Sequence, residues 1–196
     1  KKKLNGPTSG KSIIFVTPDS VRSMNTYLGT SLLLSDKQLN IKEKSKIIYL
    51  EGYLFDAPKA DGIFKNASLS SKIHNSKLAL SLSDSWCVER HLKKMMEFVK
   101  NDISILFCNE DELKAFAGQD TTKAIHTLME FVEEIIITRG EKGSILADKK
   151  NIIKIPATPI KKVIDTTGAG DLFAAGYLFG RINNYTLENA GKLGSD

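Results

Sequence analysis

Hydrophobic and polar positions follow two periods along the middle of the chain, one typical of strands and one of helices. Short apolar runs occur in KLALSL (residues 77–82), ISILFC (103–108) and EIIITRG (134–140). The segments between them, VERHLKKMMEFVK, NEDELKAFAG and TTKAIHTLMEFVE, have the spacing of amphipathic helices. Strands that alternate with helices of this length predict right-handed crossovers and a mainly parallel sheet.

The central strands are apolar at consecutive positions, as in ISILF and IIIT. A strand with two apolar sides is expected where helices cover both faces of the sheet. The sequence therefore predicts an α/β fold with a doubly wound, mainly parallel sheet. The strings GSILAD, NIIKIP and KKVID predict further strands, the last running into Asp165, and GDLFAAGYLFGRI predicts a helix after them.

The first part of the chain is richer in β-structure. SIIFVTP (12–18) and NTYLG (25–29) are predicted strands separated by a turn, and KIIYLEGYLF (46–55) is a further strand. A helical pattern follows over residues 58–75. Its expected buried residues are Ala60, Ile63, Phe64, Ala67 and Ile73.

Composition and charge narrow the function only slightly. The chain has 196 residues, 41% hydrophobic and 26% charged, which is ordinary for a globular domain. Its net charge is +5, with three lysines at the very start, but it has no basic stripe interleaved with aromatic residues. We therefore expect no nucleic-acid partner, whereas an acidic small molecule suits the charge. No apolar run is long enough to cross a bilayer, and we expect no membrane contact.

Cysteine and histidine offer no metal or nucleophile site. Cys87 and Cys108 lack metal-ligand spacing, and we expect both to be reduced and structural in a cytoplasmic protein. The three histidines match no zinc motif and are expected at the surface or its boundary. The string GPTSGKS (6–12) is one residue too short between its glycines for a P-loop, and it precedes a strand.

The stretch VIDTTGAGDLFAAG contains the most specific chemistry. Gly168, Ala169 and Gly170 form a turn of small residues before a predicted helix, so backbone amides can approach an anion closely. Asp171 lies beside these amides, where a carboxylate would repel an anion. A reaction explains it: the carboxylate accepts the proton of an attacking hydroxyl while the amides stabilise a phosphoryl group. The alternative is an Asp that merely caps the helix.

This stretch resembles the C-terminal signature D-T-x-G-A-G-D of the PfkB, or ribokinase-like, family of carbohydrate and nucleoside kinases. The resemblance implies a ribokinase-like fold in which Asp171 is the catalytic base. The amides of residues 168–170 would form the anion hole. It also implies a monovalent cation such as K⁺ near Asp165 and Thr167.

Two upstream motifs agree with this resemblance. NEDE matches the family pattern N-x-x-E and implies that Asn109 and Glu112 order the water shell of Mg²⁺ and touch the phosphates. TRGEKGS resembles the nucleotide-binding pattern T-x-G-x-x-G and implicates Thr138, Gly140 and Gly143. Read alone, the first motif is an ordinary helix start and the second a glycine-containing turn.

The β-rich start resembles the lid of adenosine-kinase-like members. There an arginine at the position of Arg22 contacts the transferred phosphate, and a guanidinium suits that task. The alternative is a surface arginine in a turn. The resemblance divides the chain into a β-rich lid portion with its connection (1–34) and an α/β nucleotide-binding core (35–196). Both are incomplete relative to the family, and relatives often form homodimers through the lid.

The resemblance implies an ATP-dependent phosphotransferase that acts on a hydroxymethyl group of a sugar or nucleoside, with ATP and Mg²⁺ as cofactors. An adenosine-kinase-like acceptor and a fructokinase- or ribokinase-type sugar both remain open. So does a catalytically inactive nucleotide-binding regulator with the same fold.

Overall fold

The protein is described by a computed structural model that covers residues 6–39, 44–118 and 120–196. The three initial lysines lie outside these residues. The strands are β1 (Lys11–Val16), β2 (Arg22–Tyr27), β3 (Ile47–Glu51), β4 (Lys77–Ser81), β5 (Ile105–Asn109), β6 (Glu134–Thr138), β7 (Ser144–Asp148) and β8 (Ile152–Ile155). The helices are α1 (Ala60–His74), α2 (Ser85–Asp102), α3 (Glu110–Ala117), α4 (Thr121–Leu128), α5 (Ala169–Ile182) and α6 (Leu187–Ser195), and short 3₁₀ helices cover Gly29–Leu33, Gly52–Asp56 and Gly140–Lys142.

Six strands form the central sheet in the order β3-β4-β5-β6-β7-β8. The pairs from β3 to β6 are parallel, and β7 and β8 continue the sheet as antiparallel strands. Parallel neighbours need a crossover, and α1, α2 and the α3–α4 pair supply them. The predicted mainly parallel α/β sheet is therefore confirmed.

Two apolar clusters cover the two faces of this sheet. On β5, Leu106 and Cys108 face one way, towards the buried sides of α1 to α4. Ile105 and Phe107 face the other way, towards α5 and α6. Alternate side chains of one strand thus enter two different cores, which is why the central strands are apolar throughout. The doubly wound arrangement is confirmed.

Strands β1 and β2 form a separate antiparallel hairpin in which Lys11 pairs with Tyr27 and Val16 with Arg22. Every residue of both strands is exposed. The Ser20 hydroxyl in the connecting turn donates to the Val163 carbonyl oxygen at 2.7 Å, which ties the hairpin to the segment before α5. The β-rich start is confirmed, while its division from the core at residue 34 stays a prediction.

The predicted buried side of the first helix is correct except at its end. Ala60, Ile63, Phe64 and Ala67 are buried, but Ile73 is 76% exposed. Its place in the core is taken by the polar face of the last turns, where Ser71 is buried and its hydroxyl donates to the Ser68 carbonyl oxygen. A hydroxyl bonded within its own helix can be buried at little cost, so the apolar pattern misidentified this turn.

The predicted elements differ from the structure at several points. The strand predicted over 46–55 ends at Glu51, because the chain enters a 3₁₀ helix at Gly52. The Gly52 N–H donates to the Ser83 hydroxyl instead of to a neighbouring strand. The helix predicted over 121–133 ends at Leu128. KKVID forms no strand: its apolar side chains are exposed and find no neighbouring strand to pair with.

Both cysteines lie in the core, and the histidines lie at the surface or its boundary, as predicted. Cys87 and Cys108 are free and buried, and burial raises the pKa of Cys87 to about 11. The histidines are exposed or half-buried. None of the helices in the described part of the chain combines the length and apolar character needed to cross a membrane.

Candidate active site

A cleft of about 410 Å³ lies where the carboxyl ends of β3 to β6 meet the start of α5. Open parallel sheets bind their ligands at this edge. The lining residues come from the hairpin, from the ends of four strands and the segments that follow them, and from the turn and first residues of α5. They are Arg22, Met24, Tyr49, Glu51, Tyr53, Ser81, Ser83, Phe107, Cys108, Asn109, Glu112, Thr138, Thr166, Thr167, Gly168, Ala169, Gly170 and Asp171.

The start of α5 is built differently from most other helix starts in the protein. Side chains cap α2, α3, α4 and α6 by accepting hydrogen bonds from first-turn amides. In the described structure α5 has no such side-chain cap: Gly168 stands at the capping position with a φ of +77°. The first-turn amides thus keep their partial positive charge at the edge of the cleft.

The glycines leave room for a ligand at this turn. A Cβ added at Gly168 or at Gly170 would meet no atom within 4 Å. Gly168 needs its left-handed backbone, whereas Gly170 lies inside the helix and has no such need. Open space over exposed amides is what an approaching anion requires.

Asp171 is the third residue of α5 and not its capping residue, so the helix-cap alternative for Asp171 is wrong. Its side chain lines the cleft and is exposed. Among the described residues it has no hydrogen-bond or ion-pair partner. Within the described structure the Ala169 amide donates to the Thr166 carbonyl oxygen at 3.2 Å, while the amides of Gly168 and Gly170 have no partner. A free carboxylate beside these two amides can accept a proton from a bound hydroxyl.

Asn109 and Glu112 do form the helix start that the motif alone suggested. The Asn109 side chain accepts from the Glu112 amide at 2.8 Å, and the Glu112 carboxylate accepts from the Asn109 amide at 3.0 Å. Both residues of this capping box line the cleft. Glu112 is only 7% exposed, and burial raises its pKa to about 7, with the charges of Asp84 and Glu51 adding to the rise.

The three residues of the predicted nucleotide segment have different surroundings. Thr138, at the end of β6, lines the cleft. Gly140 has a φ of +55° with open space around it, while Gly143 packs against the backbone of Ile155 and lies outside the cleft lining. Gly143 is therefore needed for close packing of β7 on the chain after β8.

Arg139 joins the two predicted nucleotide segments. Its Nε donates to the Glu110 carboxylate at 2.9 Å, across the ends of β5 and β6. This ion pair fixes the start of α3 against the turn after β6. The positions of Asn109 and Thr138 in the cleft are thereby linked.

Arg22 reaches the turn before α5 from the hairpin. Its guanidinium donates to the Thr166 carbonyl oxygen and lies 3.3 Å from the Thr166 hydroxyl. No atom of the exposed hairpin other than this side chain and Met24 lines the described cleft. Arg22 is thus a cation beside the amides of Gly168 and Gly170.

Asp165 and Thr167 form a local turn. One Asp165 oxygen accepts from the Thr167 amide at 2.8 Å and from its hydroxyl at 2.7 Å. These hydrogen bonds hold the pKa of Asp165 below its usual value. Thr167 lines the cleft, whereas Asp165 does not.

The acidic side chains do not form a direct metal cage. Within residues 6–39, 44–118 and 120–196, no group of three histidine, cysteine, aspartate or glutamate side chains is placed to hold an ion. The donor set instead fits Mg²⁺, which keeps most of its waters and binds through one or two carboxylates together with phosphates. A nearby cation would favour the ionised form of buried Glu112, whose pKa is raised.

Sequence reasoning missed the wall of the cleft formed by β3 and β4. Glu51 ends β3, and its carboxylate accepts from the Ser83 hydroxyl at 2.8 Å, where Ser83 has a φ of +70°. Burial and the neighbouring Glu51 raise the pKa of Tyr49, and burial raises that of Tyr53 to about 12. The signal was available, since Glu51 is a charged residue directly after the apolar run IIYL.

Comparisons with known proteins agree with the fold and with the motifs in the cleft. Residues 3–196 match the profile of the family described as pfkB family carbohydrate kinase. A nucleoside kinase of Methanocaldococcus jannaschii is 32% identical over 130 residues, which cover 66% of this chain and 42% of that protein.

Solved structures superimpose on nearly the whole chain. An adenosine kinase from Sinorhizobium meliloti matches 97% of this chain with a TM-score of 0.93 and 36% identity. A probable sugar kinase from Rhizobium etli matches 100% with a TM-score of 0.95 and 33% identity. The chain spans 60% of each of these two structures.

Proposed function

Because the chain belongs to the pfkB family of carbohydrate kinases, we propose that it is part of an ATP-dependent kinase for a hydroxymethyl group of a sugar or nucleoside. One observation carries the proposal. The free carboxylate of Asp171 lies in the cleft beside the uncapped amides of α5. A site that only bound an anion would gain nothing from this carboxylate, whereas a site that deprotonates a hydroxyl needs it.

The proposed chemistry is in-line phosphoryl transfer. Asp171 accepts the proton of the acceptor hydroxyl, whose oxygen attacks the γ-phosphorus while the bond to the ADP oxygen breaks. The amides of residues 168–170 stabilise the charge that develops on the transferred group. Base and amides share one helix, so their separation is fixed before substrate arrives.

Asn109 and Glu112 are the proposed positions for Mg²⁺, held through water. The ion supplies charge neutralisation to the triphosphate when it is bound. Glu112 is kept in place by the capping box, and its ionised form is favoured by a cation nearby. Thr138 and Gly140 are proposed to lie along the nucleotide, and Gly143 is proposed to shape that turn.

Arg22 is proposed to clamp the transferred phosphate. Its hydrogen bond to the Thr166 carbonyl holds the guanidinium close to the amides of α5. A guanidinium can follow charge on a phosphoryl group with two parallel hydrogen bonds. The lid and the turn would then close on the phosphate from opposite sides.

Two further parts of the proposal concern ions and partners. Asp165 and Thr167 are the proposed neighbours of a monovalent cation such as K⁺. Comparing the activity in K⁺ buffer with that in choline buffer would test this.

The hairpin carries large exposed apolar side chains, including Ile13 and Phe15. We propose that two copies of the protein associate through this hairpin, and the molar mass from light scattering tests this.

ADP release from ATP, measured with a panel of sugars and nucleosides, tests the proposed function. We expect release with at least one acceptor and a slow background with water. Binding of ATP with no release for any acceptor would instead favour a nucleotide-binding regulator.

A further inference from the structure

A buried ion cluster lies on the α5 side of the sheet, at the end opposite the cleft. Glu134, the first residue of β6, is 3% exposed. Its carboxylate accepts from the Tyr177 hydroxyl at 2.7 Å and from two nitrogens of Arg181, at 3.2 Å and 2.5 Å. Lys77 lies 4.0 Å away. The proposed chemistry uses none of these residues.

Both main partners of Glu134 belong to α5. Tyr177 and Arg181 follow Asp171 by six and ten residues, roughly 9 Å and 15 Å along the helix axis. They are four residues apart and therefore share one face of α5. The cluster thus fixes the same helix whose start forms the proposed anion site.

Apolar packing places α5 between the sheet and α6. Phe173 and Ala174 are buried towards the sheet with Leu178 packed beside them, and Gly176 and Gly180 lie closely against α6. Hydrophobic packing is non-directional, whereas hydrogen bonds to a charged carboxylate have a narrow geometry. A buried carboxylate must also keep its partners, because an unpaired charge is costly there.

The cluster is joined to the cleft by both the strand and the helix. Strand β6 carries Glu134 at its start and Thr138 at its end in the cleft. The Tyr177 ring packs edge-on against Phe107 at 5.6 Å, and Phe107 lines the cleft. A shift of α5 along its axis would break these contacts together.

We propose that Glu134 is a positioning residue: by binding Tyr177 and Arg181 it fixes the rotation and axial position of α5. The amides of residues 168–170 and the Asp171 carboxylate are thereby held at their places over the cleft. This inference rests on the proposed kinase function. A misplacement of about 1 Å can cost roughly 10²-fold in rate, so the position of this helix affects turnover more than nucleotide affinity.

The test uses variants of the intact protein that separate the effect of Glu134 on the position of α5 from its effect on folding stability. Glu134→Gln leaves Arg181 with a half-buried, poorly compensated charge and should lower both kcat and the melting temperature. Adding Arg181→Met removes that charge, so the double variant should regain most of the melting temperature. Its kcat should stay at least 10-fold below wild type, with the KM for ATP within threefold.

Two further variants keep the proposal falsifiable if the single variant fails to fold. Tyr177→Phe removes only the hydroxyl and should lower kcat about threefold. The control Asp102→Asn breaks an ion pair of Asp102 with Lys72 on the other face of the sheet and should leave kcat within twofold. A double variant with kcat within twofold of wild type, or a control that loses as much kcat, would overturn the inference.

A second readout does not depend on turnover. ATP should shift the amide NMR signals of Gly168 and Gly170, and the double variant should reduce those shifts by half or more. Unchanged shifts would contradict the positioning role. If wild type shows the shifts but no ADP release with any acceptor, the kinase function fails while the positioning of α5 stands.

Discussion

The guanidinium of Arg22 donates a hydrogen bond to the backbone carbonyl of Thr166, which lies 144 residues later in the chain. This contact and the one from Ser20 to Val163 connect an exposed hairpin to the turn before α5. No side chain of β1 or β2 is buried, and these two polar contacts join the hairpin to the chain before α5. The hairpin and the turn before α5 are thus physically linked.

Replacing Arg22 should affect turnover and leave folding intact. Arg22→Gln removes the cation beside the α5 amides and should lower kcat by about 10²-fold. Because the residue is exposed, the melting temperature should hardly change. Ser20→Ala is the matched control: it removes the other contact between hairpin and turn but no charge. Its kcat should stay within threefold, and equal losses in both variants would contradict a phosphate-binding role for Arg22.

Gly170→Ala should separate activity from stability. Alanine is favoured over glycine inside a helix by roughly 0.5–1 kcal/mol, and the site has open space. The variant should therefore be as stable as wild type or more so. The new methyl group would occupy the anion's approach, and we expect a clear rise in the KM for ATP with a fall in kcat.

Gly62→Ala in α1 is the control for that experiment. Its Cβ would make ordinary contacts of 3.6 Å with Asp36, so it should give the same gain in stability. Its kinetics should match wild type. Steady-state assays and thermal unfolding on both variants check this, and unchanged kinetics in Gly170→Ala would argue against an anion at this turn.

The raised pKa of Glu112 predicts a pH dependence of stability. Its ordinary value is 4.5 and its folded value is about 7, so between these the folded state binds more protons than the unfolded state. The free energy of unfolding should therefore decrease as pH rises from 5 to 8. The contribution of Glu112 to this decrease is on the order of 3 kcal/mol.

Glu112→Gln should remove this part of the pH dependence, since glutamine does not titrate. Urea unfolding of both proteins at pH 5 and pH 8 measures the difference. The variant should gain stability relative to wild type at pH 8. Parallel pH dependences for the two proteins would show that Glu112 keeps an ordinary pKa in the fold.

Two glycines of one motif should differ sharply in their effect on stability. A Cβ at Gly143 would lie 1.9 Å from the Ile155 carbonyl oxygen, and its φ is +79°. Gly143→Ala should therefore cost at least about 3 kcal/mol. Gly140→Ala meets open space and should cost only about 1–2 kcal/mol for its positive φ. Denaturant unfolding of both variants tests this, and equal losses would contradict the packing described for Gly143.

The regular part of the fold could be predicted because its pattern is local. Leu106 and Ile105 are both apolar since each faces a different layer of helices, and such runs are visible in the sequence. The predictions failed where contacts with distant parts of the chain decide whether a segment forms a strand or a side chain is buried. Ile164 belongs to an apolar run that finds no strand beside it, and Ser71 is buried because its hydroxyl is satisfied within the helix.

In the candidate site, too, local motifs could be predicted and long-range contacts could not. The residues from Gly168 to Asp171, with Asn109 and Glu112, were found because their motifs are contiguous in sequence. Glu51 ends β3 and Ser83 follows β4, and they meet because these two strands pair in parallel, so no contiguous motif contains both. The cluster of Glu134 with Arg181 was invisible for the same reason.

The most direct test of the account is the rate of Asp171→Asn in the intact protein. Removing a positioned base should lower kcat by about 10²–10⁴-fold, while the dissociation constant of ATP stays within threefold of wild type. Asp61→Asn, which changes an exposed aspartate in the first turn of α1, should leave kcat unchanged. A kcat of Asp171→Asn within a factor of two of wild type would contradict the assignment of Asp171 as the base.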